Sequence, residues 1–155
     1  MSSTKPDTTT PAADPVPVLK HHHGGVSVPD LDQAIEWYGR VLGFAVEARF
    51  PIPQIPAEVA MLRRDELRIE LFQPADGMPM SDDRKVPDRD VKTYGNKHVA
   101  FAVPDIRRTV DALQRQQVDI VFVKEFPWGS NAFVRDPFGN LIEFVLQADM
   151  WTEDA

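Results

Sequence analysis

His23 heads the phrase His-Gly-Gly-Val-Ser-Val-Pro-Asp30, and His98 heads the phrase His-Val-Ala-Phe-Ala-Val-Pro-Asp105. A second pair of phrases follows, Ile69-Glu70-Leu71-Phe72 and Ile142-Glu143-Phe144-Val145. The chain has 4 histidines; three adjoin at 21–23 and the last stands at the repeat-equivalent place. One His and one Glu at matched points of each half are the donors expected of a pseudo-symmetric metal site. Two imidazoles and two carboxylates make a borderline-hard ligand set, suited to Ni, Co, Zn, Mn or Fe rather than to a soft metal. Four protein donors in an octahedral shell leave room for water or for a substrate's oxygens.

Alternation along a strand decides whether these residues share a face. His23, Gly25 and Ser27 fall on one side of their segment, with Val26 and Val28 on the other. His98, Ala100 and Ala102 likewise oppose Val99, Phe101 and Val103. Both histidines therefore keep small neighbours, while the bulky faces are ready to pack under helices. Glu70 shares its side with Arg68 and Phe72, and Glu143 shares its side with Leu141 and Val145. A carboxylate in the middle of an apolar strand is costly to bury unless paired or metal-bound. Among weaker candidates, Trp128 and Phe133 could line an aromatic substrate's pocket, and Arg68 could meet an anionic substrate or pair with Glu70. His21 has the parity of His23 and could support it.

Each half reads as strand, helix, then strands. In the first, 22–28 is a strand and Asp30 is a helix N-cap with Gln33 three residues on. Leu31, Ile35, Tyr38 and Leu42 follow helical spacing, and Gly43 suits the position after the helix. Strands are expected at 44–50, 59–63 and 67–72, with Pro51, Pro53 and Pro56 breaking the chain between the first two. The second half offers a strand at 98–103, a helix capped by Asp105 with Ile106, Val110 and Leu113 as its stripe, and strands at 119–123, 131–135 and 141–146. Asp136-Pro-Phe-Gly-Asn140 is a tight turn. The expectation is an α+β domain of tandem βαβββ modules over 19–150, the first at 21–73 and the second at 97–147. Residues 74–96 form a polar linker, read as a solvated connection or a lid.

Composition narrows the partners. At 155 residues the chain can bury one core. A net charge of −7 argues against nucleic acid. The absence of cysteine excludes disulfides and thiolate chemistry. No apolar run approaches the ~18 residues of a membrane span. Residues 1–18, rich in Pro, Ser and Thr, read as a disordered leader on a cytoplasmic protein.

The phrases above, together with Trp37-Tyr-Gly-Arg-Val-Leu-Gly-Phe44 and Asp136-Pro-Phe-Gly-Asn-Leu-Ile-Glu143, resemble the vicinal oxygen chelate superfamily of glyoxalases, bleomycin-resistance proteins and extradiol dioxygenases. The resemblance spans roughly residues 22–147. It implies paired βαβββ modules in a half-open mixed β-barrel flanked by helices, a divalent metal on His23, Glu70, His98 and Glu143, and a homodimer. The His/Glu/His/Glu set is most similar to bacterial glyoxalase I, implying an isomerase or lyase that works through a metal-stabilised enediolate, with Glu143 or Glu70 as the base. Two alternatives stay open. One is an Fe(II) dioxygenase on His23, His98 and Glu143; the other is a small-molecule binding or resistance protein.

Overall fold

The computed structural model describes residues 18–146 and Trp151. All of the expected leader except Val18, and the expected domain end from 147 to 150, lie outside the described residues. The architecture is α+β, with two βαβββ modules in tandem. In the first, β1 (Gly24–Ser27) leads to α1 (Leu31–Leu42), then β2 (Ala45–Ile52), β3 (Ala57–Arg64) and β4 (Leu67–Pro74). In the second, β5 (Val99–Ala102) leads to α3 (Ile106–Arg115), then β6 (Asp119–Phe126), β7 (Gly129–Arg135) and β8 (Leu141–Leu146). Each module forms its own four-stranded mixed sheet, ordered β1-β4-β3-β2 and β5-β8-β7-β6.

The local reasons are those of the sequence. Asp30 accepts the Gln33 N–H at 2.9 Å and Asp105 accepts the Arg108 N–H at 3.0 Å, so each helix starts on a side-chain cap. Gly43 ends α1 in the left-handed region, φ 71°. Five strands, β2, β3, β4, β6 and β7, run further than expected. β2 continues through Pro51 to Ile52 because it is an edge strand, where proline's missing N–H costs nothing. The β6–β7 hairpin closes tightly around Pro127-Trp128, with Phe126 paired to Gly129. Gly129, at φ 154°, lies so close to the Leu146 carbonyl that a Cβ would overlap it.

The linker holds structure that its lack of apolar rhythm concealed. A 3₁₀ turn at Asp82–Lys85 precedes a single helical turn, α2 (Pro87–Asp90), entered by Pro87 in the first turn. Asp90 is buried and met by Arg84 at 3.0 Å and Lys97 at 3.5 Å. Arg135 also donates to the Lys85 carbonyl at 2.6 Å, tying this segment to the second sheet.

One apolar cluster joins the modules. Leu31, Ala34, Trp37 and Leu42 of α1 meet Ile69 and Leu71 of β4, while Ile106 and Leu113 of α3 share the cluster with Ile142 and Phe144 of β8. Fully burying a side chain such as Leu71 stabilises by about 1.5–3 kcal/mol. Phe44 meets Phe101 with ring centroids 6.0 Å apart, and the Tyr38 hydroxyl donates to Asp136 at 3.2 Å, both across the module boundary. Burial, then the neighbouring Asp136 charge, pushes the Tyr38 phenol well above its ordinary pKa. Burial also holds the Asp136 carboxyl above the usual carboxylate range, against the lowering effect of donors from Asn140, Phe138 and Tyr38.

Candidate metal centre

Strand register delivers each histidine to its glutamate. Gly25 lies directly opposite Glu70 in the parallel β1–β4 ladder, and Ala100 lies opposite Glu143 in β5–β8. The histidine two residues earlier shares that face and leans diagonally onto the carboxylate. His23 Nε2 is 3.0 Å from Glu70 Oε2, and His98 Nε2 is 2.9 Å from Glu143 Oε2. All four side chains stay partly open, with the histidines 34% and 27% exposed and the glutamates 16% and 14%. The apolar core takes the opposite face of both sheets, as the alternation requires.

The two pairs are supported differently. The His98 ring stands edge-on to Phe133, centroids 4.8 Å apart. Glu143 accepts a second hydrogen bond, from Asn131 Nδ2 to Oε1 at 2.7 Å. His23 instead leans on His22, with Nδ1 to Nδ1 at 2.6 Å, so one ring carries that proton and the other accepts it. His21, which has the parity of His23, is exposed, and His22 makes the contact instead.

Other candidates divide. Phe133 is buried on the His98 face, between the His98 ring and Phe122, whose centroid lies 5.1 Å away. Trp128 stacks flat on Phe126, centroids 4.8 Å apart, and is 59% exposed at the hairpin tip. Arg68 turns to Glu47, at 2.8 and 3.0 Å, and does not pair with Glu70. Glu47 is the extra residue of the β2 bulge, which frees its side chain for this pairing. The Arg68 hydrogen bond foremost, with the two arginine charges, holds Glu47 below the usual carboxylate range. Outside these candidates, in the approach to β5, Tyr94 is fully exposed and Lys97 is held on Asp90 and Thr93.

Asn131 is the site residue that reading the sequence missed. Its strand was expected, but a lone Asn in Asn-Ala-Phe-Val-Arg carries no motif. The available signal was the repeat: β3 and β7 occupy equivalent places, with Met61 opposite Glu70 and Phe133 opposite Glu143, so Val59 and Asn131 correspond. Among the described residues Asn131 Oδ1 is buried without a partner, and leaving such an acceptor unsatisfied costs about 1–3 kcal/mol.

Each pair offers one imidazole nitrogen and one carboxylate oxygen, hard to borderline donors that suit a divalent cation. Among the described residues, no three His, Asp or Glu side chains gather in one cluster.

The family model for the glyoxalase/bleomycin resistance protein/dioxygenase superfamily matches residues 20–144. The chain belongs to that superfamily. Mitochondrial methylmalonyl-CoA epimerase from Bos taurus is 29% identical over 114 residues, covering 72% of this chain and 62% of that protein. The chain thus spans under two thirds of that relative's length. Among solved structures, the trypanothione-dependent glyoxalase I of Leishmania major superposes with a TM-score of 0.66 at 25% identity, covering 86% of this chain and 90% of that one. A glyoxalase family protein from Enterococcus faecalis superposes with a TM-score of 0.69 at 19% identity, covering 81% and 96%. The superfamily scaffold serves many reactions, so the site must argue the chemistry.

Proposed function

We propose that this chain is a divalent-cation-dependent isomerase or lyase acting on a small substrate with two neighbouring oxygens. The repeat-matched contacts His23–Glu70 and His98–Glu143 carry the reading. A Glu on an apolar strand is retained at a cost, and here each one faces a nitrogen that ligates metals well. The epimerase and glyoxalase I names of its relatives support an isomerase or lyase class.

Four residues would hold the cation: His23, Glu70, His98 and Glu143. When bound, the cation would supply Lewis acidity toward the substrate's oxygens and so acidify the neighbouring C–H. The protein's own part is proton transfer. A Glu70 or Glu143 carboxylate oxygen takes the proton from the carbon beside the carbonyl, and the electron pair left behind delocalises onto that carbonyl. The same carboxyl then returns the proton, to the adjacent carbon in an isomerisation or to the opposite face of the same carbon in an epimerisation. Phe133 and Phe122 keep the His98 side apolar, which limits competing water. Because no three of these side chains cluster among the described residues, we assign the complete four-donor shell to two copies, each lending one half-site.

The test is elemental analysis of untagged protein together with turnover of a hydroxy-carbonyl panel with and without oxygen. About one equivalent of Ni, Co or Zn per chain and oxygen-independent turnover are expected. Bound iron with oxygen consumption would replace this reading with a dioxygenase, and protein that takes up no cation would end both.

A further inference from the structure

The repeat makes Glu70 and Glu143 equivalent in sequence, yet the fold does not hold them alike. Both oxygens of Glu143 are engaged, Oε2 by His98 at 2.9 Å and Oε1 by Asn131 at 2.7 Å. Among the described residues Glu70 is met by His23 alone. The difference traces to one substitution within the repeat. Asn131 is paired with Val145, two residues along the sheet from the Phe133–Glu143 pair, and Val59 holds the same place beside Met61–Glu70. A valine there is fully buried and offers no donor.

We propose that Asn131 is a positioning residue for Glu143, fixing the carboxylate so that Oε2 remains beside His98 and the second module's pair stands preformed. The unpaired Oδ1 is the strongest support. A buried amide with an unsatisfied oxygen is disfavoured against the valine that the repeat uses, so its presence needs a return, and among the described residues Nδ2 finds one only at Glu143. The orientation of the amide is settled by its neighbour, because a carboxylate accepts and the NH₂ end must face it. Edge contact with Phe133 restrains His98 in the same half-site, whereas Met61 occupies the equivalent place beside Glu70. The second module therefore supplies the rigid half of the site, and Glu70 is the carboxylate left free to turn.

This proposal rests on the cation reading only for its consequence, so the test separates the two. In metal-free wild-type protein, one Asn131 Nδ2 proton is expected downfield in the nitrogen–proton NMR spectrum, and Glu143→Ala should abolish that shift. In Asn131→Val, Co(II) affinity measured by calorimetry should fall about 10- to 100-fold, the usual effect of losing a residue that orients a ligand. The visible bands of bound Co(II) should change with it, while the unfolding midpoint should not drop. An unshifted Asn131 amide overturns the proposal, and so does an Asn131→Val variant that binds Co(II) as tightly as wild type. If wild type itself takes up no Co(II), the cation reading is what fails, and the NMR comparison alone decides the role of Asn131.

Discussion

At the scale of single residues, a side chain's partner matters more than its direction. Arg68 points to the same side as Glu70, yet its guanidinium is claimed by Glu47 through two hydrogen bonds. Arg68→Ala is therefore expected to leave cation affinity unchanged, as calorimetry would show; a marked loss would place Arg68 in the site after all. The two histidines differ in the same way. His98 is braced by Phe133, and Phe133→Ala should weaken cation binding at the second module while also opening a cavity that costs about 3–5 kcal/mol in urea unfolding. A stability loss with unchanged affinity would reduce Phe133 to packing alone.

At the scale of elements, two local features have consequences beyond their own turns. Gly129 allows the β6–β7 hairpin to pass against the Leu146 carbonyl, and any Cβ there overlaps backbone. Gly129→Ala should lower the thermal midpoint sharply, whereas Gly95→Ala, with open space around it, should cost only backbone strain. The β7–β8 turn is built on Asp136, whose oxygens accept from Phe138, Asn140 and Tyr38. Its folded pKa lies above its unfolded value because it is buried. The stability it contributes is thus complete below the ordinary Asp pKa of about 3.9 and declines as pH rises through the raised folded value. Asp136→Asn cannot titrate, so the wild-type-minus-variant stability should fall across that interval and level off above it. A difference that is flat with pH, from unfolding at a series of pH values, would contradict this.

At the scale of the whole molecule, the proposed sharing of the site between two copies has a direct test. A mixture of His23→Ala and His98→Ala chains, each inactive alone, should regain about a quarter of wild-type activity per site. Half the dimers would be mixed, and one of the two sites in each mixed dimer would be intact. No recovery after co-refolding would mean that each chain closes its own site. No helix among the described residues is long and apolar enough to cross a membrane.

The module order and the helix caps were legible in the chain, which grouped His23, Glu70, His98 and Glu143 as one set where the fold sets His23 against Glu70 and His98 against Glu143. Each of these depends on a short-range rule: strand alternation, a capping side chain, or a repeat seen twice. The Pro87 turn, the passage of β2 through Pro51 and the capture of Arg68 by Glu47 were not legible, because each depends on a neighbour supplied by another strand or loop. The same holds for Asn131. In the chain it is twelve residues from Glu143, and only the β7–β8 register turns that separation into a hydrogen bond. Tertiary structure also decided that two carboxylates equal in the repeat are unequal in the fold, because a side chain's environment is set by the strands beside it and not by its own phrase.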